Sequence, residues 1–306
     1  MCGAQPLRTA VRIVRAAATN QVARLAPSLY VRMTSQTGRG DRAGETPETV
    51  ADYFERCIDD YLQRLKVAKT DAEQFFQDKV LLEYGPGDLP GVALLMIALG
   101  AKKVICADRF PLVRPSAFGA QVMASLLQRL PERRRARAQA ALLDPERPQR
   151  GFRSERIQYV VQPSGLSHVR SACDLVYSRA VLEHVDDLDA TFADMDAALK
   201  PRGIAIHLVD LKSHGLHGSN PLDFLTWPSW LWNLMYSQKG MPNRWRINRY
   251  RAALARTSLR VDHLEPIARY LPSQIAEVRA HLAPEFRALS DEDLSWMNFW
   301  LVAQKR

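Results

Sequence analysis

Two sets of residues in this 306-residue chain have the types and spacing to do chemistry. The first is His207, Asp210 and His214, in the pattern His-x-x-Asp-x-x-x-His, with His217 three residues on and His184 upstream. An imidazole titrates near neutral pH, so it can take a proton from a hydroxyl, and a neighbouring carboxylate can orient it. Asp210 with His214 reads as such a pair, a base or a device that orients a substrate. His207 falls inside an apolar run and reads as a core histidine, and His184 stands in a loop ahead of a helix. Imidazole and carboxylate are also common ligands of divalent cations, but this spacing matches no recognised metal site, and no metal is assigned. The second set is Glu83 and Asp108, two carboxylates 25 positions apart with Gly85 and Gly87 between them.

The elements that must position the second set are local. Lys79 to Tyr84 reads as a short buried strand, because Val80, Leu81 and Leu82 are consecutive apolar residues without helical spacing. Gly85 and Gly87 permit a tight turn with close ligand approach, and Val92 to Leu99 continues as a helix. Lys103 to Ala107 is the next strand, with Asp108 at its end, where a carboxylate can accept both hydroxyls of a ribose. A nucleoside-binding βαβ unit is expected. Dinucleotide binding wants G-x-G-x-x-G, whereas the spacing here is Gly85, Gly87, Gly91, and Glu83 would sit poorly beside a diphosphate. A carboxylate there suits a cofactor with an ammonium group, such as the methionine end of S-adenosyl-L-methionine (SAM).

Glu83-Tyr84-Gly85-Pro86-Gly87 resembles the first motif of class I SAM-dependent methyltransferases, with Leu89 where a third glycine normally falls. Cys173 to Ser178 reads as the fourth strand, and Ala180 to Val185 after it resembles the Leu-Glu-His-Val segment of the type-11 group, which includes quinone-biosynthesis enzymes. Leu188, Phe192, Met195 and Leu199 recur on one helical face. Lys200 to Gly203 resembles the family's Lys-Pro-Gly-Gly turn, and Gly203 to Val209 is the fifth strand. The resemblance covers residues 75 to 212 and, more loosely, the C-terminal strands. It implies SAM as cofactor, held by Glu83, Gly85, Gly87, Asp108 and Ser178. Gln162, at the end of the third strand (Arg156 to Gln162), is then a candidate for the base edge. It also places His184 near the acceptor pocket. In related enzymes an N-terminal helix covers the cofactor. Thr49 to Leu65, with Tyr53, Phe54, Ile58, Tyr61 and Leu65 at helical spacing, could supply that cover through Tyr53 and Tyr61, or simply pack in the core.

Apolar residues make up 47% of the chain and no run approaches a membrane-spanning length, so the composition is that of an ordinary soluble protein. Cys2, Cys57, Cys106 and Cys173 lack metal-ligand spacing, which fits a reducing cytoplasm. Net charge is +9, yet no acid occurs before Asp41, while Arg8, Arg12, Arg15, Arg24, Arg32 and Arg39 do. A helix with Leu7, Val11, Val14, Ala18, Val22 and Leu25 beside an arginine face would close at Pro27. A mobile basic arm, a membrane-surface helix and an organelle transit peptide all fit. The second basic run, Arg129 through Arg137, reads as a solvated helix face, without the interleaved aromatics of an RNA-binding surface.

Residues 1–45 are therefore set apart as a basic extension and 46–306 as the methyltransferase domain, with core 75–212, cap 213–250 and C-terminal strands 255–304. The cap holds Trp227, Trp230, Trp232 and Trp245, and follows the fifth strand, outside whose carboxyl end ligands bind. Trp227 and Trp230 are read as acceptor contacts; an accessory helix that extends the core is the competing reading. The expected fold is α/β, a Rossmann-like, mainly parallel seven-stranded sheet with helices on both faces. The expected reaction is methyl transfer to a small organic acceptor, aromatic or amphipathic, on oxygen. An RNA or protein methyltransferase, and a SAM-binding protein without turnover, are the alternatives. Nucleic acid is not expected as a partner; peripheral membrane contact through the N-terminus is left open.

Overall fold

Val80–Tyr84 is strand β1, and its apolar side chains meet helices on both faces of a sheet, as consecutive apolar residues require. The computed structural model describes residues 4–38 and 44–306, without the side chains of residues 4–10 and 12. Cys2, Arg39 and the side chains of Leu7, Arg8 and Arg12 thus lie outside the described residues. The other strands are β2 (Lys103–Asp108), β3 (Ile157–Val161), β4 (Cys173–Arg179), β5 (Leu199–Asp210), β6 (Leu259–Arg269) and β7 (Trp296–Lys305). They form one seven-stranded sheet in the order β3-β2-β1-β4-β5-β7-β6. The first five run parallel, and β7 is antiparallel to both β5 and β6. Register aligns the carboxyl ends: Tyr84 lies opposite Ala107 and Ser178, and Ser178 opposite His207. Gly85, Asp108, Ala180 and Asp210 therefore emerge along one edge. Residues 200–203, expected to end a helix, belong to β5, where the pairing register shifts opposite Cys173 and Leu175.

The helices are α1 (Ala4–Leu25), α2 (Pro27–Thr34), α3 (Pro47–Arg64), α4 (Ala72–Phe76), α5 (Gly91–Ala98), α6 (Ala117–Arg129), α7 (Glu132–Gln139), α8 (Leu188–Ala198), α9 (Ser229–Tyr236), α10 (Ile247–Leu254), α11 (Pro272–Arg279), α12 (Pro284–Arg287) and α13 (Asp291–Ser295). A capping box starts α3: Thr49 N donates to Thr46 Oγ1 and Thr46 N to Thr49 Oγ1. Every residue of α5 is buried, so it is apolar all round. Gly91 is what lets α3 reach it, because a Cβ there would lie 2.3 Å from Phe54 Cδ2. Leu89, in place of the motif's third glycine, is buried, and the small residue facing it is Gly119 of α6. The basic run from Arg129 to Arg137 pairs with acids of α3 and α4: Arg129 with Asp52, and both Arg134 and Arg137 with Glu73.

The sheet has a core on each face, and a third core lies to the side. Trp232, Met235 and Tyr236 of α9 join Ile275, Val278, Leu282 and Phe286 there, with Ile13 and Ala16 of α1 packed against them. Sequence reading passed over the helices between β6 and β7, and the segment that contains them supplies about half of this core. The N-terminal helices are docked rather than free. Asn20 Nδ2 donates to the carbonyls of Asn233 and Leu234, and Gln238 N donates back to Asn20 Oδ1. Asp88 N donates to Thr37 O beside the glycine turn.

Candidate active site

One cavity of about 850 Å³ opens at the carboxyl edge of the sheet, within the size range of small-molecule sites. Its floor is the turn after β1. Gly87 has φ +72°, and a Cβ there would lie 2.8 Å from Thr37 O, so only glycine suits the position. Gly85 N donates to Ala107 O at 2.8 Å, tying the turn to β2. Asp108 follows as a wall residue whose Oδ1 accepts from Phe110 N at 2.9 Å. Burial pushes its carboxyl up to about 7, against the opposing backbone N–H groups of Phe110, Arg109 and Gly87. A second wall comes from a segment the sequence reading set outside the domain: Tyr30, and residues 34–38, line the cavity.

The opposite end gathers the candidate acid–base residues. Asp210 closes β5, accepting from Lys212 N and pairing with Lys212 Nζ, both at 3.0 Å. His184 and His214 meet edge to face, ring centroids 4.9 Å apart, and all three line the cavity. Burial drives His184 down to about 4, helped by His214 and opposed by the backbone of Met241 and by Asp210. Next to it, Glu183 is buried, and neither carboxylate oxygen has a hydrogen-bond partner among the described residues; burial holds it well above the usual carboxylate range. Glu183, His184 and His214 bring ligand atoms within 4.8 Å of one another, a set able to hold a metal ion. This differs from the His207, Asp210, His214 grouping weighed from spacing. His207 is buried in the sheet with Nδ1 2.7 Å from Ser178 Oγ.

Other sequence-based assignments are relocated. Ser178 is turned to His207 and buried, because strand alternation points it away from the cavity edge. Glu83 lies beneath the turn, where Tyr177 Oη donates to it at 3.2 Å, and burial pushes it up to about 8. Gln162 is not a cavity residue; Ser164 and Gly165, just beyond it, are. Trp227 packs against the third core, and Trp230 is 69% exposed, so neither faces the cavity. Trp232 Nε1 donates to Pro242 O, holding the Gly240–Pro242 stretch that does line it. Tyr53 of α3 lines the cavity, under the Arg179 guanidinium. Arg179, held by Asp60 at 2.7 Å, is a wall residue no motif announced, as is Arg109, which bridges Asp186 and Gln238.

A family model for a methyltransferase domain matches residues 51–264, across the glycine turn, Asp108 and the β4–β5 segment. The chain belongs to the methyltransferase domain family. With the strand order above, it is a class I methyltransferase and its cofactor is SAM. The match does not single out the type-11 subgroup. Among solved structures, a SAM-dependent methyltransferase from Mesorhizobium loti is 17% identical, with TM-score 0.42 over 75% of this chain and 92% of its own. Phosphoethanolamine N-methyltransferase 2 from Haemonchus contortus is 14% identical, with TM-score 0.41 over 77% of this chain and 51% of that one. No curated protein matches the chain. The residues of the methyltransferase fit the cofactor on their own terms: a buried carboxylate on the wall for ribose, side-chain-free backbone of Gly85 and Gly87 on the floor, and a volume that admits a nucleoside and an acceptor together.

Proposed function

We propose that the methyltransferase acts on the oxygen of a small aromatic or amphipathic acceptor. His214 removes the acceptor proton, His184 orients the acceptor and Asp210 fixes the local field. The observation that carries this reading is that His184, His214 and Asp210 share one cavity with Gly85 and Asp108. SAM supplies a methyl group on a positively charged sulfur. The protein's part is to hold the acceptor oxygen in line with it and to keep water out, and positioning of this kind can contribute about 7–11 kcal/mol. Tyr30, Tyr53, Val181, Val185, Met241 and Pro242 give that space its apolar walls. A base works best with a pKa near the working pH. His184, at about 4, is neutral but a weak base, so it serves as a hydrogen-bonding partner. His214, exposed at the lip, is the group that can take the proton and pass it to water.

The Glu183, His184, His214 cluster favours a second reading, in which these three side chains would hold a divalent cation, whose chemistry there would be Lewis-acid activation of an acceptor hydroxyl. Release of S-adenosylhomocysteine over a panel of phenols, catechols, hydroxylated lipids, amines and RNA tests both. Turnover on hydroxyl acceptors is expected, with His214→Ala losing about 10²–10⁴-fold at parental SAM affinity. Turnover confined to amines or RNA overturns the reading. Parental turnover by His214→Ala removes His214 as base and moves the role to His184. Loss of turnover on chelation, restored by added metal, selects the cation.

A further inference from the structure

We propose that the outward face of α1 and α2 docks the enzyme on an anionic lipid surface. The inner face of α1, Ile13, Ala16, Asn20 and Ala23, is committed to the protein. A surface helix should then turn a polar face to water. This one does not. Val11 (60% exposed), Val14 (68%) and Leu25 (80%) lie on one outward stripe at helical spacing, with Ala18 between them. On α2, the next helix, Leu29 and Met33 stand one turn apart and are each at least half exposed. Among the described residues, five of the twelve exposed large apolar side chains thus fall within residues 11–33. Two more, Trp230 and Leu234, sit one turn apart on α9, the helix against which α1 packs. Apolar side chains gathered in this way mark an interaction surface rather than ordinary scatter.

Charge identifies the occupant. Arg15, Arg24 and Arg32 are exposed on the same two helices, and none forms an ion pair with a described residue. Residues 1–34 contain five arginines and no acid. Apolar side chains among arginines match the acyl boundary and headgroups of an anionic leaflet. A two-fold contact with a second copy would instead set arginine against arginine. The enzyme would lie on the surface, since no helix among the described residues is long and apolar enough to cross a membrane. The adjoining side of α2 carries Tyr30 and Thr34 into the cavity. Docking therefore brings the site wall to the lipid, which suits the amphipathic acceptor of the proposed function; the surface itself stands without that reading.

The test is sedimentation of the full chain with phosphatidylcholine vesicles, with and without phosphatidylglycerol. Pelleting with the anionic vesicles at low salt and release at high salt are expected. A Leu25→Glu/Leu29→Glu/Met33→Glu variant should reduce the bound fraction at least about tenfold. Its melting temperature and its S-adenosylhomocysteine release on a soluble acceptor should stay parental. Arg15→Gln/Arg24→Gln/Arg32→Gln, which leaves the apolar stripe intact, should remove the salt-sensitive part of binding even if the first variant folds poorly. No binding, equal binding to neutral vesicles, or parental binding by both variants overturns the proposal. So does a dimer in light scattering that the glutamate variant converts to monomer. Docking and acceptor chemistry are read in different assays, so either can fail alone.

Discussion

Asp108→Asn separates the cost of burying a carboxylate from its use in holding the cofactor. Burial holds the Asp108 carboxyl at about 7 against an ordinary 3.8. An acid whose folded pKa is raised contributes stability below its unfolded pKa and loses it as pH rises through the folded value. The ligand-free enzyme should therefore lose stability between pH 4 and 8, by an amount on the order of 4 kcal/mol from this group. Asparagine, which does not ionise, should melt higher than the parent at pH 8. Cofactor affinity should run the other way, because in the role proposed for Asp108 the ribose hydroxyls donate to its carboxylate. With a pKa of about 7, roughly a tenth of the sites are ionised at pH 6 and nine tenths at pH 8. SAM should bind the parent about tenfold more tightly at pH 8 than at pH 6. The variant should lose about 1–3 kcal/mol at pH 8 and most of that slope. The cofactor's own amine titrates in the same range, so calorimetry must compare parent and variant at each pH. Equal slopes in the two proteins, or parental affinity for Asp108→Asn at pH 8, would refute the assignment.

Gly91→Ala forces a methyl group into Phe54 and should cost about 1–3 kcal/mol, seen as a lower urea midpoint at unchanged m-value. A chain beginning near Glu45 loses the Asn20 and Thr37 contacts and one wall of the cavity; calorimetry and melting should show weaker SAM binding and a lower melting temperature, where a detachable arm would leave both unchanged. Trp230→Ala should leave the acceptor's KM at the parental value in steady-state kinetics with a soluble acceptor, because its ring is outside the cavity; a raised KM would return it to the acceptor site.

Much of this enzyme was legible along the chain because its central unit is local. A strand, a glycine turn, a helix and a second strand ending in Asp108 are contiguous, so β1, α5 and β2 follow from apolar runs and turn chemistry. Family motifs carried the reading through β4 and β5 and brought Asp210, His184 and His214 to one edge. Which side chains enter the cavity was not legible, because strand phase and distant packing decide it. Ser178 and Glu83 sit on strands whose edges do line the site, yet they turn to His207 and Tyr177. Arg179 is fixed by Asp60, on a helix far upstream in the chain. The tryptophans looked like a cap by composition, but Trp232 found a buried partner surface in helices between β6 and β7, and Trp230 found none. Tyr30 and residues 34–38 belong to the site because α1 meets α9 more than 200 positions away, a contact that leaves no local pattern. Local propensity wrote the turn on the cavity floor, and only the packing of distant segments could choose what surrounds it.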